Sequence, residues 1–280
     1  MALKSWFPPE LHSSYVVTTT FHRSGYELYG SKCIESFLRF WPDDVKMVVY
    51  AEDVEVKEQD DRLIVLDQRP TLAALQSFKE AYAGEPKANG TCRAASGEPY
   101  NFRWDAVRFS NKVFAITHAI KAWHGRADHL IWLDADTVTR KPVTAELLEK
   151  VSPAQNELAA YLNRRSYPEC GWVGYNLKHP HILRFAETFE DSYTSGAFMN
   201  MKENHDSYVF WQIALEMENA DGIPFKKLGS DRARGHIFLN SELGKYLDHL
   251  KGPRKNTGRS FVNDVRPWRL DRIWQLLRAR

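Results

Sequence analysis

The sequence predicts an α/β fold: one domain with a mostly parallel mixed central sheet flanked by helices, followed by a basic C-terminal helical extension. Three observations predict it. Short β-branched and apolar runs, YVVTTT at 15–20, KMVVY at 46–50 and LIVL at 63–66, are interleaved with a helical pattern over 27–40. The run LIWL at 130–133 is apolar at every position, as a strand covered on both faces must be. Finally, 280 residues with 43% hydrophobic and 26% charged side chains suffice for a sizeable core and exclude a disordered or coiled-coil chain.

In order along the chain, YVVTTT is the first strand, and Gly25 precedes a helix that Pro42 stops. The second and third strands follow. Residues 84–99, GEPKANGTCRAASGEP, read as a polar loop, either a flap or an insertion. The next helix covers 101–123, with Trp104, Val107, Phe114 and Ile120 as its buried stripe. Arg108 and Lys112, four apart, project together from another side. This helix leads directly into the apolar strand. After Pro142 come a short helix (AELLEKV), a strand around 158–162 and the stretch PECGWVGYN. Gly171 and Gly174, set among aromatic residues, mark backbone that another group approaches closely. Helices are expected over 182–193 and 206–217. With no repeat and no clean linker, residues 1–255 form one domain and 256–280 the extension.

No run approaches 18 apolar residues, so nothing is expected to span a membrane. The opening MALKSWFPPELHSS lacks an apolar core of signal-peptide length, which argues for a cytoplasmic protein. Cys33, Cys92 and Cys170 are odd in number and far apart, as reduced thiols are, rather than a disulfide framework or a zinc site. The net charge of +2 conceals a basic tail: nine Lys and Arg stand against Asp264 and Asp271 after position 250, alongside Trp268 and Trp274. Such an end faces anionic lipid at the inner face of a membrane, nucleic acid or water.

The apolar strand runs straight into Asp134 and Asp136. Ligands of open α/β sheets sit outside the carboxyl ends of strands, so this pair lies where chemistry is expected. Two neighbouring carboxylates repel unless a cation separates them. A hard divalent ion, Mg²⁺ or Mn²⁺, takes oxygen ligands and bridges carboxylates to phosphates. The competing reading is a strand-to-helix turn whose carboxylates accept from backbone amides. Arg108 and Lys112 beside a metal would suit a diphosphate. A second stretch, DHLKGPRK, places His249, Gly252 and Lys255 at the spacing H-x-x-G-x-x-K, with His249 115 residues after Asp134. It offers an imidazole ligand, a close backbone approach and a point charge for phosphate.

With these two motifs the chain resembles the metal-dependent glycosyltransferases of the A-type, Rossmann-like fold, most closely the retaining family that includes glycogenin and the lipooligosaccharide galactosyltransferases. The resemblance implies Asp134, Asp136 and His249 as ligands of Mn²⁺ or Mg²⁺, and Gly252 and Lys255 on the diphosphate of a nucleotide sugar, most simply a UDP-sugar. It also matches Glu169, Cys170, Gly171 and Asn176 to a segment near the donor sugar, with Glu169 where Asn is usual, and Asp206 to an acidic position beside the reacting carbon. Ser207, Asn256 and Thr257 depart from the family pattern. Thr19, Arg108, Lys112, Asn176, Gly252 and Lys255 are thus the expected donor-binding residues, and Asp206 and Glu169 the expected catalytic ones.

The implied activity is hexosyl transfer to a hydroxyl of a glycan or glycolipid, or of a hydroxylated base in DNA. An inverting reaction needs a general base such as Asp206 or Glu169, whereas a retaining one can return the acceptor proton to the leaving phosphate. Asp206 also reads as the N-cap of the helix that follows. A nucleotidyltransferase would use the acidic pair but not His249; a non-catalytic module would bind a nucleotide sugar without turnover or, through the basic tail and aromatics, a nucleic acid, and the latter would leave Asp134 and Asp136 unexplained, since they repel phosphate.

Overall fold

The computed structural model describes residues 13–92, 97, 99–230 and 235–265. Strand β1 (Ser13–His22) leads into a turn (Arg23–Gly25), a π-helical stretch (Tyr26–Gly30) and helix α1 (Ser31–Phe40). The helical path therefore begins four residues before the expected start. Strands β2 (Lys46–Glu52) and β3 (Leu63–Asp67) follow, then helix α2 (Ala73–Tyr82). No helix or strand forms from Gly84 to Asn101 among the described residues.

Helix α3 (Ala106–Trp123) starts later than expected, because the Asp105 carboxylate accepts from the Arg108 N–H and caps it there. A 3₁₀ turn (Phe102–Trp104) occupies the preceding residues. Trp104 and Val107 are half-buried, while Phe114 and Ile120 are in the core. Beyond it come β4 (Ala127–Leu133), β5 (Thr137–Thr139), α4 (Ala145–Val151), β6 (Ala159–Leu162), β7 (Glu169–Asn176), α5 (Ile182–Thr194), α6 (Asp206–Asp221), β8 (Lys226–Lys227) and β9 (Leu247–His249).

The seven-stranded sheet has the order β3-β2-β1-β4-β7-β6-β8. β3, β2, β1 and β4 are mutually parallel, β7 runs antiparallel to both β4 and β6, and β8 is parallel to β6. Both faces are covered. Along β4, Leu130 and Trp132 enter the core beneath α2, α3, α5 and α6, while Ile131 and Leu133 enter the core beneath α1 and α4. That alternation explains why the sequence shows an unbroken apolar run instead of an apolar-polar one. Trp123, Trp132 and Trp172 are wholly buried among these layers.

A separate two-stranded sheet pairs β5 with β9 antiparallel and sets Thr137 opposite His249. Two side-chain bonds anchor β5 to α1: Trp41 Nε1 donates to Thr139 Oγ1 (3.0 Å), and Thr139 N–H donates to Ser36 Oγ (3.0 Å). All three cysteines are free, and Cys33 and Cys170 are buried. Among the described residues no helix is long and apolar enough to cross a membrane.

Residues just past Asn256 contact the rest of the domain. Ser260 is buried and bonds the Asp248 carboxylate, Arg254 pairs with Asp264, and Val265 is buried. Residues 266–280, which carry most of the expected basic extension including Trp268 and Trp274, lie outside the described residues.

Candidate metal and nucleotide site

β1 and β4 run parallel and finish at the same edge of the sheet, where β7 begins. Their ends border a cavity of about 820 Å³, within the size range of small-ligand sites. Asp134 is fixed as soon as β4 ends: its N–H donates to the Gly171 carbonyl (2.9 Å), and its Oδ1 accepts from Trp132 Nε1 (2.7 Å) and Lys112 Nζ (3.0 Å). Two residues on, Asp136 completes the turn, closed by the Thr137 N–H donating to the Asp134 carbonyl (3.0 Å), that leads into β5. Pairing of β5 with β9 carries His249 across more than a hundred residues of sequence to the same point.

His249 Nε2 lies 3.0 Å from Asp136 Oδ1 and 3.4 Å from Asp134 Oδ2. The ligand atoms of the three residues all fall within 4.8 Å of one another. Adjacent donors of an octahedral ion at about 2.1 Å stand about 3 Å apart, so this set fits a divalent cation. Gly171 makes room for it, since a Cβ there would sit 2.5 Å from His249 Nδ1. The sequence marked Gly171 and Gly174 as backbone under close approach, and His249 is what approaches Gly171. At Gly174 the neighbour is Pro153 Cδ, 3.3 Å from an added Cβ.

Burial opposes charge throughout the cluster, yet the groups hold one another ionised. Against that burial, the Asp136 and Asp134 carboxylates push the His249 imidazole up to about 9. Burial also acts to raise Asp134, but Lys112 and His249 hold it well below the usual carboxylate range. Asp136 is likewise lowered, with His249 and Lys255 overcoming burial. Without an ion, protonated His249 and two lysines therefore supply the positive charge the acidic pair needs. To serve as a metal ligand the imidazole would have to give up its proton. Its Nδ1 faces Glu169 Oε1 at 3.6 Å and has no closer partner among the described residues, the place where metal-bound histidines meet an orienting carboxylate.

Glu169 and Asp206 flank this centre differently. Glu169 Oε1 accepts from the Gly171 N–H (3.2 Å), and Oε2 pairs with Lys251. Burial would raise its pKa, but Lys251 and His249 bring it below the usual value. Asp206 is not an N-cap. His205 occupies the cap position, and the Asp206 carboxylate instead meets Lys112 Nζ at 3.0 Å. Lys112 thus joins Asp134 to Asp206 and, despite burial, is held above the ordinary lysine value by both. Lys255 Nζ lies 2.9 Å from Asp136 Oδ2 and 4.6 Å from the centre of the Tyr29 ring. Gly252 borders the cavity with φ +57, a conformation that favours glycine. Arg108 also borders it and donates to the Tyr100 hydroxyl (3.1 Å).

Two expected donor contacts are not brought to the cavity. Thr19 is wholly buried within β1, and Thr20 borders the crevice instead. Asn176 lies at the opposite end of β7, paired with His129, and its Nδ2 donates to the carbonyls of Ala154, Gln155 and Glu157. Because β7 is antiparallel to β4, only its Glu169 end reaches the acidic pair. Tyr29, Trp132 and Lys251 also border the cavity. Trp132 reads in sequence as core alone, Lys251 occupies an unassigned position of the late motif, and no local signal marks Tyr29.

No protein-family model and no curated protein matches the chain. Among solved structures it is similar to the apo structure of WbbM, a bifunctional glycosyltransferase, with 15% identity and a TM-score of 0.50 over 96% of this chain and 52% of that one. The chain thus spans about half the length of that protein. It is also similar to apo mouse xyloside xylosyltransferase 1, with 12% identity and a TM-score of 0.46 over 76% of this chain and 84% of that one. The similarity to WbbM is one of fold, and the seven-stranded mixed sheet with helices on both faces is that of the glycosyltransferase A type.

Proposed function

We propose that the chain is a metal-dependent glycosyltransferase that moves a sugar from a nucleoside-diphosphate sugar, a UDP-sugar in the simplest case, to a hydroxyl of a glycan or glycolipid. The observation that carries this reading is the convergence of Asp134, Asp136 and His249 at the carboxyl edge of a glycosyltransferase A-type sheet. Bound there, Mn²⁺ or Mg²⁺ would draw charge off the diphosphate as the sugar-phosphate bond breaks.

The chain's own groups do the rest. Lys255 and the Gly252 backbone, at the mouth of the same cavity, hold the diphosphate, and Arg108 adds a second cation. Tyr29, beside Lys255, gives the nucleobase an aromatic face. Glu169 is engaged on both oxygens and kept acidic by Lys251, so it orients His249 and is a poor proton acceptor. Asp206 is then the carboxylate beside the reacting carbon, where it stabilises positive charge as the acceptor oxygen replaces the phosphate oxygen and the acceptor's hydroxyl proton passes to the departing diphosphate.

A panel of UDP-, GDP- and other nucleotide sugars incubated with protein and Mn²⁺, assayed for free sugar, tests this. One donor should be hydrolysed slowly without any acceptor, and EDTA should stop it. Absence of release and of any thermal shift with every donor would leave a binding module in place of the enzyme.

A further inference from the structure

Away from the acidic pair the cavity gathers a cluster of aromatic rings. Phe102 and Phe109 approach His205 with ring centroids 5.5 and 5.8 Å away, and Tyr167 stands edge-on to it at 4.4 Å. All four residues border the same cavity as Asp134 and Asp136, and the Lys112–Asp206 ion pair lies between the two sides. Phe102 lines the cavity with 42% of its surface exposed, so part of its ring is free to meet a ligand. The wall is held in place. Asn204 N–H donates to the Arg103 carbonyl (2.8 Å), tying the turn that carries Phe102 to the start of α6, and Arg164 lies over the Tyr167 ring at 4.4 Å.

We propose that this wall is the acceptor subsite and that its occupant is a pyranose ring of a carbohydrate, a reading that rests on the donor site proposed above. A pyranose presents an apolar C–H face that lies against an aromatic ring, and hydroxyls around its rim that need donors and acceptors. His205 supplies the polar part. Its Nε2 is 3.0 Å from Glu203 Oε2, and since a carboxylate only accepts, Nε2 carries the proton and Nδ1 is left as acceptor for a sugar hydroxyl. The direction of approach suits transfer: a sugar stacked on Phe102 and Tyr167 has Asp206, adjacent in sequence to His205, between itself and the metal ligands.

The full chain, loaded with Mn²⁺ and UDP, is the protein to test, by saturation-transfer NMR. The probes are methyl β-D-glucopyranoside, methyl β-D-galactopyranoside, methyl α-D-mannopyranoside, lactose and cellobiose, with a short oligothymidine in parallel. At least one saccharide should receive saturation, concentrated on the C–H protons of one ring face. Phe102→Ala and Tyr167→Ala should each weaken its binding about fivefold or more, Tyr167→Phe should retain it, and Phe102→Ala should leave UDP binding with Mn²⁺ unchanged. Saccharide binding that persists, with the same dependence on Phe102 and Tyr167, when UDP does not bind supports the wall while removing the donor reading. Absence of saturation transfer to every saccharide, wild-type affinity in both alanine variants, or oligothymidine binding that depends on the same two rings overturns the proposal.

Discussion

The two ends of β7 carry residues of similar promise in the sequence and have different fates in the structure. At one end Glu169 and Gly171 meet His249; at the other, the Asn176 amide is consumed by three loop carbonyls. The strand is eight residues long, and at about 3.3 Å per residue its ends stand some 23 Å apart, more than a single metal centre can span. A motif that runs the length of a strand can therefore contribute one end to a site and the other to the scaffold.

The comparison can be broken most severely at the acidic pair. Asp136→Asn removes a proposed metal ligand and the charged partner of both His249 and Lys255, so turnover should fall by about a thousandfold or more while the circular dichroism spectrum stays native. Activity within about tenfold of wild type would place the metal elsewhere. The glycines sharpen the contrast next. Gly171→Ala drives a methyl into the His249 ring and should lower Mn²⁺ affinity about tenfold or more, along with about 1–3 kcal/mol of stability. Gly174→Ala, whose Cβ would meet Pro153 Cδ at 3.3 Å, should leave metal affinity unchanged, as read by calorimetry.

His249 also makes the site sensitive to pH. Its imidazole is raised from 6.5 to about 9 in the metal-free protein, so its contribution to stability is complete below pH 6.5 and is lost as pH rises towards 9. Metal binding runs the opposite way. It displaces that proton, so Mn²⁺ affinity should climb by up to about tenfold per pH unit below about 9 and flatten above it. A flat affinity profile between pH 6 and 8 would exclude His249 as a ligand. Asn176→Ala should have the smallest effect, none on metal or UDP binding and a loss of about 1–2 kcal/mol in denaturant stability from the stranded carbonyls. Weakened UDP binding would restore Asn176 to the site.

The sequence carried the parts of this arrangement that are local. The β-branched and apolar runs became β1 to β4, the apolar run at 130–133 marked the doubly covered strand, and the acidic pair stood at its end. His249 was legible as a late motif, and Gly171 as a backbone closely approached. What stayed hidden depends on pairings between distant segments: the antiparallel turn of β7 that carries Asn176 away, the β5–β9 register that sets His249 opposite Thr137, and the Lys112–Asp206 ion pair that takes Asp206 out of a capping role. Helix α3 starts at Ala106, not at 101, because Asp105 caps it within the helical pattern. Phe102, Phe109 and Tyr167 resemble ordinary core aromatics until the fold gathers them around His205.

Isothermal titration of UDP into the protein, with saturating Mn²⁺ and then with EDTA, tests the central claim most directly. The site built from Asp134, Asp136, His249 and Lys255 should bind UDP with Mn²⁺ and release little or no heat in EDTA. Equal affinity in the two buffers would contradict a metal-bridged diphosphate.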